Sequence, residues 1–284
     1  MINKNSKILI IGLGLIGGSY AEGFSKKGYK VYGLDINNES IEYDKNNNFI
    51  IDGCTLPTRE FVNQFDLIIF SLYPKLIIEW LNNYQDFIKP NTIITDVTGI
   101  KGWLVKEIKQ ILRKDLEFIG AHPMAGREVS GVKNSDSNIF KGANYIITPE
   151  NNSNKAIEIA KEIGKILEFK NISILSVEEH DEMIGFLSQL THCIAISLMT
   201  CKESKHLVEY TGDSFRDLTR IAKINENLWS ELFFLNKEEL LKQINLYLEN
   251  FNVLKQALET DNVEKVKEIM RDSTLKRSYF DRKC

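Results

Sequence analysis

An apolar strand at residues 7–11 runs directly into a glycine-rich turn and then into a helix. The turn contains Gly12, Gly14 and Gly17 in the spacing G-x-G-x-x-G. In dinucleotide-binding folds the first glycine permits the tight turn, the second lets the backbone approach a pyrophosphate, and the third lets the helix pack close to the strand. The unpaired N–H groups of the first helical turn then bind the phosphates. The spacing therefore predicts a nucleotide site here, although an ordinary glycine-rich turn can share the pattern.

A second apolar strand, at 30–35, ends in the carboxylate of Asp35. This residue lies about 20 residues after the glycines, where a carboxylate accepts hydrogen bonds from an adenine ribose and repels a ribose phosphate. The residues at 36–39 contain no arginine that could bind such a phosphate. The sequence therefore favours NAD over NADP.

The composition limits the classes of function that the chain can have. Its 284 residues allow two domains, and a net charge of −3 gives no electrostatic basis for binding nucleic acid. No uninterrupted apolar run reaches the ~18 residues of a membrane span, and the N-terminus lacks the pattern of a signal peptide. Four cysteines without a C-x-x-C pair indicate reduced thiols and no metal site. We therefore expect a cytoplasmic protein that binds neither nucleic acid nor a membrane.

The hydrophobic pattern changes near residue 176. Before it, short apolar runs alternate with helical stretches, which predicts an α/β fold with a doubly wound, mostly parallel sheet of Rossmann type. After it, apolar residues recur at intervals of three and four, which predicts helices. We expect a nucleotide-binding domain over 1–176 and a helical domain over 177–284. Further strands are predicted at 66–71, 92–96, 117–120, 145–148 and 172–175, and helices at 74–88, 101–113, 153–168, 183–201, 236–258 and 261–281.

The predicted helix at 183–201 is apolar almost all round, which predicts a buried, central position. Ser188, Gln189 and His192 nevertheless share one face of it with Gly185. A polar stripe on a buried helix must face other polar groups or a wet cavity. The residues alone allow either a satisfied core histidine or the wall of a substrate pocket.

Two segments follow predicted strands at the carboxyl edge of the sheet, where open α/β sheets bind ligands. They are DVTGIKG at 96–102 and AHPMAGRE at 121–128. We expect His122 to lie in a Gly/Pro-rich loop with no helix face to pack against. A base with a pKa near 6.5 is suited to take a hydroxyl proton as hydride leaves the same carbon. A third segment, 213–222, carries two arginines and two acids and fits a solvated helix as well as a substrate site.

Five stretches, in chain order, resemble the prephenate/arogenate dehydrogenase family. They are GLGLIGGS at the start, DVTGIKG, GAHPMAG at 120–126, a serine-to-histidine helix motif at 188–192, and FRDLTRIA at 215–222 followed by Trp229. HPMAG together with DLTRIA is specific, whereas the glycine motif indicates only a dinucleotide fold. The resemblance implies an NAD-dependent oxidative decarboxylation of prephenate to 4-hydroxyphenylpyruvate in tyrosine biosynthesis. It also implies a homodimer formed through the helical domain.

The resemblance implies roles for single residues. His122 takes the proton of the ring hydroxyl, Arg220 binds a substrate carboxylate through its bidentate fork, and His192 and Ser188 line the same pocket. The residues expected around the cofactor are Gly12, Gly14, Leu15, Ile16, Gly17, Asp35, Ser71, Leu72, Tyr73, Asp96 and Val97.

The chain departs from the family pattern beside His122 and on the long helix. Many members have Gly-Ser where this chain has Thr98 and Gly99, so Thr98 is the hydroxyl left to assist His122. The first histidine of the Ser-His-x-x-His motif is Gln189, which suggests that only His192 of that pair is required.

A third departure bears on the choice of substrate. Arg127 stands where a threonine is common, and Glu128 follows it. A cation at the pocket stabilises the second carboxylate of prephenate and repels the ammonium of arogenate. We therefore expect Arg127 to favour prephenate if its side chain points inward, with Glu128 acting in the opposite sense.

Other functions stay open. Arogenate dehydrogenase is the alternative within the family, and a hydroxyacid dehydrogenase or imine reductase of similar plan is the alternative outside it. Those enzymes usually carry a lysine on the long interdomain helix, and 183–201 contains none. A non-catalytic NAD-sensing scaffold is the third alternative, against which the presence of His122, His192 and Arg220 argues.

Overall fold

The computed structural model describes residues 2–203 and 206–281 and has an eight-stranded sheet in its first half. The strands lie side by side in the order β3-β2-β1-β4-β5-β6-β7-β8. The first six are parallel, β7 is antiparallel to β6, and β8 is parallel to β7. Their bounds are Lys7–Ile11, Lys30–Leu34, Asp52–Cys54, Leu67–Phe70, Ile93–Asp96, Glu117–Pro123, Asn144–Thr148 and Asn171–Ile174, for β1 to β8.

Thirteen α-helices are present in the described residues. Their bounds are Leu15–Lys26, Asn38–Asn46, Arg59–Val62, Pro74–Tyr84, Gly102–Ile111, Asn154–Ile166, Val177–Ile184, Thr191–Thr200, Leu207–Tyr210, Asp213–Thr219, Glu226–Leu235, Lys237–Glu259 and Val263–Asp281, for α1 to α13. Beyond Ser176 every regular element that the structure describes is a helix, as the sequence predicts.

The sheet is covered on both faces, which explains why its strands are continuous apolar runs. Alternate residues of β1 and β4 point to opposite sides. Leu9 and Phe70 pack in one core with α4 and α5, and Ile10 and Ile69 pack in the other with α1 and α6. The predicted doubly wound α/β architecture is confirmed.

The sheet differs from prediction at two strands. Strand β3 has only three residues, too few for a periodic signal. Strand β6 continues to Pro123, beyond the predicted end at 120, because it pairs antiparallel with β7 over Gly120–Pro123. His122 therefore belongs to a strand and pairs with Ile146, and its prediction as a loop residue is wrong.

The long apolar helix begins earlier than predicted. It runs from Val177 to Thr200 as α7, a π-helical turn over Gly185–Leu190, and α8. Ser176 and Glu179 form a capping box that fixes its start. π-Helical turns within α-helices often occur at functional sites, and this one lies directly before His192.

The burial of this helix also differs from prediction. Phe186 is 47% exposed, Leu187 53% and Met199 43%, so the helix is not a buried central element in the single chain. By length and composition, Val177–Thr200 is apolar enough to cross a membrane, although one such helix is weak evidence for a membrane protein. An exposed apolar stripe is typical of an interaction surface.

The contacts divide the chain into two compact units, one up to Asn236 and one from Lys237 onward. The first contains the sheet and the long helix. The second contains α12 and α13, which pack against each other. The candidate site residues all lie in the first unit.

Candidate active site

Two glycines of the turn are required by contacts within the protein, and the third leaves space for a ligand. Gly12 has φ +93°, and a Cβ there would lie 2.4 Å from the Ser71 carbonyl oxygen. A Cβ at Gly17 would lie 1.8 Å from the Gly12 carbonyl oxygen. At Gly14, in contrast, no protein atom lies within 4 Å of the Cβ position. The protein itself therefore requires glycine at 12 and 17, whereas the open space at Gly14 fits the close approach of a pyrophosphate.

The first turn of α1 faces this space with its backbone. It includes Leu15 and Ile16, and it has neither a capping side chain nor an acidic residue. The N–H groups at such a helix start attract anions through their partial positive charge. The predicted turn thus has the features that hold the phosphates of a dinucleotide.

Asp35 connects the turn to the end of β2. Its carboxylate accepts hydrogen bonds from the backbone N–H of Leu13 at 2.6 Å and of Asn37 at 2.8 Å. A carboxylate has about four acceptor positions, so two stay available for ribose hydroxyls. The predicted ribose partner therefore also holds the loop in shape.

Ser71, Leu72 and Tyr73 follow β4 on the other side of the turn. The Ser71 N–H donates to the Ile11 carbonyl at 2.7 Å, which places this segment directly against the glycine turn. Tyr73 is the N-cap residue of α4, and its hydroxyl accepts from Asn225 at 3.1 Å. Val97 donates to the Phe70 carbonyl at 3.1 Å, so the segments after β4 and β5 lie side by side.

Asp96 is placed differently from the other predicted cofactor residues. Its side chain is fully buried and forms an ion pair with fully buried Lys101, with Nζ 2.7 Å from Oδ2. It also accepts from the backbone N–H groups of Thr98 at 2.9 Å and Ala121 at 3.1 Å. These contacts point to a structural role, because they hold β5, β6 and the 96–102 segment together.

Thr98 belongs to the same buried cluster. Its hydroxyl hydrogen-bonds the Asp96 carboxylate and lies 3.1 Å from Lys101 Nζ, which also donates to the Thr98 carbonyl at 2.8 Å. Burial lowers the pKa of Lys101, and the Asp96 carboxylate opposes that shift. The Thr98 hydroxyl is thus bound to an ion pair and not to His122, which differs from the role suggested by the sequence.

His122 begins a row of hydrogen-bonded side chains that the sequence did not indicate. Its Nδ1 is 3.0 Å from Nε2 of His180, and His180 Nδ1 is 2.7 Å from Oδ1 of Asp181. Asp181 also accepts from the backbone N–H groups of Lys101 at 2.8 Å and Gly102 at 2.7 Å. The capping box before α7 was the available signal, since it places His180 and Asp181 in the first turns of a helix.

The surroundings keep both histidines neutral. Burial lowers the pKa of His122 well below its usual value near 6.5, and His180 and Lys101 lower it further. Burial also lowers the pKa of His180, while the hydrogen bond to Asp181 opposes the shift. A neutral imidazole has one ring nitrogen with a free lone pair, which is what a general base requires.

The other ring nitrogen of His122 faces a small gap. A Cβ built at Gly99 would lie 3.7 Å from both Nε2 and Cε1 of His122, and also 3.7 Å from Cδ1 of Leu232 on α11. These are ordinary van der Waals distances, so the missing family serine leaves room beside Nε2. A Cβ at position 99 would therefore fit here without displacing a neighbour.

A second cluster lies next to the first along α11. The His192 ring stacks on Trp229, with ring centroids 3.6 Å apart, and its Nδ1 donates to the Ser188 carbonyl at 2.9 Å. Trp229 and Leu232 are three residues apart and share a face of α11. Ser188 therefore contributes its backbone, and His192 lies on the side of α11 that also faces Gly99.

Charged residues extend this second cluster. Arg220 is 62% exposed and forms an ion pair with Glu128, and both charges act on the pKa of His192, which burial lowers. Arg127 instead binds Asp136, with Nη2 3.2 Å from Oδ2. Of the two predicted loop residues, the structure thus brings Glu128 and not Arg127 to the Arg220 and His192 cluster.

Gln189 is a core residue and does not line the candidate pocket. It is buried, its amide N–H donates to the Leu232 carbonyl at 3.1 Å, and its oxygen accepts from Asn236 at 2.9 Å. The polar stripe thus contains one satisfied core residue, Gln189, and one histidine in the candidate pocket, His192. Within the described ranges, no group of three His, Cys, Asp or Glu side chains is placed to hold a metal ion.

Two family models match the chain. The model of the nucleotide-binding domain of prephenate dehydrogenase matches residues 21–172, and the model of its dimerization domain matches residues 176–272. Prephenate dehydrogenase from Lactococcus lactis subsp. cremoris is 34% identical over 252 residues, which cover 86% of this chain and 68% of the relative. Prephenate dehydrogenase from Bacillus subtilis is 28% identical over 273 residues, 93% of this chain and 73% of the relative.

A solved structure agrees with these matches. Prephenate dehydrogenase from A. aeolicus, in complex with hydroxyphenyl propionate and NAD+, has a TM-score of 0.89 and 30% identity, and the match covers 99% of this chain and 100% of that one. The predicted fold class, the predicted dinucleotide-dependent dehydrogenase class and the family resemblance are confirmed, and NAD is the cofactor that this neighbour holds. The chain belongs to the prephenate dehydrogenase family.

Proposed function

We propose that the protein oxidises prephenate with NAD and forms 4-hydroxyphenylpyruvate and carbon dioxide. The observation that carries the proposal is the neutral, partly buried His122 at the carboxyl edge of the sheet, beside the segments that form the nucleotide site. Bound NAD supplies the hydride acceptor of this chemistry. The proton of the ring hydroxyl goes to His122 Nε2, and loss of carbon dioxide aromatises the ring, which makes the reaction nearly irreversible.

The protein has little else to supply in this reaction than alignment and one base. His192, Trp229 and Arg220 form the adjoining cluster, where a planar ring and a carboxylate of the substrate would bind. In the free protein Glu128 occupies the Arg220 guanidinium. A substrate carboxylate therefore competes with Glu128 for that partner.

The direct test is to mix the purified protein with NAD and either prephenate or arogenate and to follow NADH absorbance. Rapid NADH formation with prephenate supports the proposal. Turnover with arogenate alone would make the protein an arogenate dehydrogenase, and no turnover with either would favour the non-catalytic scaffold. A hydroxyacid dehydrogenase is disfavoured because the helix over Val177–Thr200 contains no lysine.

The basis for preferring prephenate is weaker at Arg127 than the sequence suggested. The Arg127 guanidinium is bound to Asp136, so it would have to leave that carboxylate to reach a substrate. Arg220 is the cation that lies with His192 in the candidate pocket, and it can bind a carboxylate that both substrates share. The preference for prephenate is thus part of the proposal that the NADH assay must decide.

We expect Arg220→Ala to raise the Michaelis constant for the substrate by about 10- to 100-fold, because a hydrogen bond to a charged group contributes roughly 1.5–3 kcal/mol. The exposure of this side chain favours the lower end of that range. Arg220→Lys should recover only part of the affinity, since an ammonium lacks the planar fork. Arg216→Ala is the matched control, because Arg216 is 60% exposed and pairs with Asp213 in the same motif. Equal Michaelis constants in the two alanine variants would remove Arg220 from the site.

We expect the unaltered protein to use NAD more efficiently than NADP, because the Asp35 charge repels a ribose phosphate. Asp35→Asn should narrow this preference, since it removes the charge but keeps an oxygen that can accept from the Leu13 N–H. The comparison needs kcat/KM for both cofactors in both proteins. Equal efficiency of the unaltered protein with NAD and NADP would contradict the assignment of Asp35.

We propose a cytoplasmic homodimer that forms through the helical region. Phe186, Leu187 and Met199 are exposed on the long apolar helix, and burying them removes apolar surface from water. The second matching family model describes a dimerization domain, which supports a second copy of this chain as the partner.

A further inference from the structure

Three side chains from two distant segments form the row that ends at the proposed base. His122 lies on β6, and His180 and Asp181 lie on α7. The two histidines that contact each other are 58 residues apart in the chain. The His180 ring is fully shielded from solvent, and His122 is partly buried. Water does not compete for the hydrogen bonds of the His180 ring, and each of them must have a donor at one end and an acceptor at the other.

The Asp181 end of the row has a fixed direction. Its two oxygens accept from the backbone N–H groups of Lys101 at 2.8 Å and Gly102 at 2.7 Å, at the start of α5. Backbone N–H groups can only donate, and a helix start favours an ionised carboxylate. Oδ1 of Asp181 is thus an acceptor toward His180 as well, so His180 Nδ1 carries a proton.

The donor and acceptor roles at Asp181 then fix the direction of the next hydrogen bond, between His180 and His122. A neutral His180 with its proton on Nδ1 has a lone pair on Nε2, so it accepts a hydrogen bond there. The partner at 3.0 Å is Nδ1 of His122, which must therefore donate. With its single proton on Nδ1, neutral His122 has its lone pair on Nε2, the nitrogen beside Gly99.

We propose that His180 and Asp181 are positioning residues that hold His122 in the tautomer whose Nε2 lone pair faces the substrate space. The catalytic meaning of this assignment rests on the proposed function, while the tautomer itself does not. When His122 Nε2 takes the hydroxyl proton, the O–H bond breaks, an N–H bond forms and the ring becomes an imidazolium. That charge is stabilised through His180 by the Asp181 carboxylate, which stays ionised. Lys101 opposes the charge, and Asp96 pairs with Lys101.

Nuclear magnetic resonance of the whole protein tests the tautomer directly. The chain has four histidines, so the imidazole 15N resonances of a labelled sample can be assigned by single substitutions. We expect His122 and His180 to carry their protons on Nδ1 at pH 7.5, without substrate or cofactor. A proton on Nε2 of His122 would overturn the proposal, whatever reaction the protein catalyses.

Asp181→Asn supplies the functional test. An asparagine amide that replaces Oδ1 loses the hydrogen bond from the Lys101 N–H and donates to His180 Nδ1, which reverses the row and moves the His122 proton onto Nε2. We expect kcat to fall at least about 100-fold with a small change in the Michaelis constant, since the wrong tautomer in a Ser-His-Asp triad costs about 10,000-fold. The 15N resonances of His122 should shift to the Nε2–H pattern in the same variant.

Glu182→Gln is the matched control, because it removes an exposed acid one residue further along α7. It should leave both kcat and the tautomer unchanged. Asp181→Asn with normal kcat would overturn the proposal, and so would a loss of kcat with the His122 proton still on Nδ1. His180→Phe provides a second variant, which removes the row without reversing it and should lower kcat less than Asp181→Asn does.

Discussion

Replacement of His122 by asparagine is expected to lower kcat by about 100- to 10,000-fold, the usual range for a positioned general base. Asparagine has no ring nitrogen that can take a proton at the position beside Gly99. Binding of NAD should change little, because the glycine turn and Asp35 follow β1 and β2, whereas His122 lies on β6. The measurement is steady-state NADH formation together with a separate titration of NAD binding. His206→Asn is the matched control, since His206 is exposed and pairs with Glu209 outside the site.

The pH dependence of the unaltered protein checks the same residue. The base must be neutral to take a proton, and burial places the pKa of His122 well below its usual value near 6.5. Protonation below that pKa removes the lone pair, so kcat/KM should stay constant near neutrality and fall only as the pH drops below 6.5. An acid limb at or above pH 6.5, or near-normal turnover in the His122→Asn protein, would show that another group is the base.

Lys101→Met is expected to lower the free energy of unfolding by about 3–5 kcal/mol, because it leaves the buried Asp96 carboxylate without its partner. Both side chains are fully shielded from water, and Lys101 Nζ also donates to the Thr98 carbonyl. Guanidinium unfolding of the two proteins gives the difference. Adding Asp96→Asn to Lys101→Met should restore part of the loss, since the stranded charge is then removed.

Lys109→Met is the control for this substitution. Lys109 lies on α5 and pairs with Glu150, but its side chain is 46% exposed. Exposed pairs contribute only about 0–1 kcal/mol, so the control should be nearly as stable as the unaltered protein. If Lys101→Met lowers the free energy of unfolding no more than Lys109→Met does, the buried pair does not stabilise the 96–102 segment.

Local signals in the sequence were sufficient for most of the elements and for the nucleotide turn. Apolar runs identified most strands of the sheet within two residues of their ends, since a strand buried on both faces must be apolar throughout. The spacing of Gly12, Gly14 and Gly17 identified the turn, because a Cβ at Gly12 or Gly17 would clash with the backbone and Gly14 leaves space for a pyrophosphate. The preference for NAD was also predicted from a short segment, namely Asp35 and the residues at 36–39, which contain no arginine.

The tertiary structure decided which partner each polar side chain binds. Thr98 looked like a helper of His122, but in the folded 96–102 segment its hydroxyl contacts Asp96 and Lys101. Arg127 looked like a pocket cation, but the fold pairs it with Asp136. A polar side chain in a fold binds whichever partner lies within about 3 Å, and sequence spacing does not contain that information.

The row behind His122 is the clearest case. Its contacts join residues 58 and 80 positions apart, and they form because the antiparallel β7 extends β6 through His122 while the Ser176 cap starts α7 beside α5. The sequence by itself determined most of the strands and helices, the nucleotide turn and the histidine that we propose as the base. Only the tertiary structure decided which nitrogen of that histidine faces outward, because hydrogen-bond direction depends on the buried partners that folding brings together.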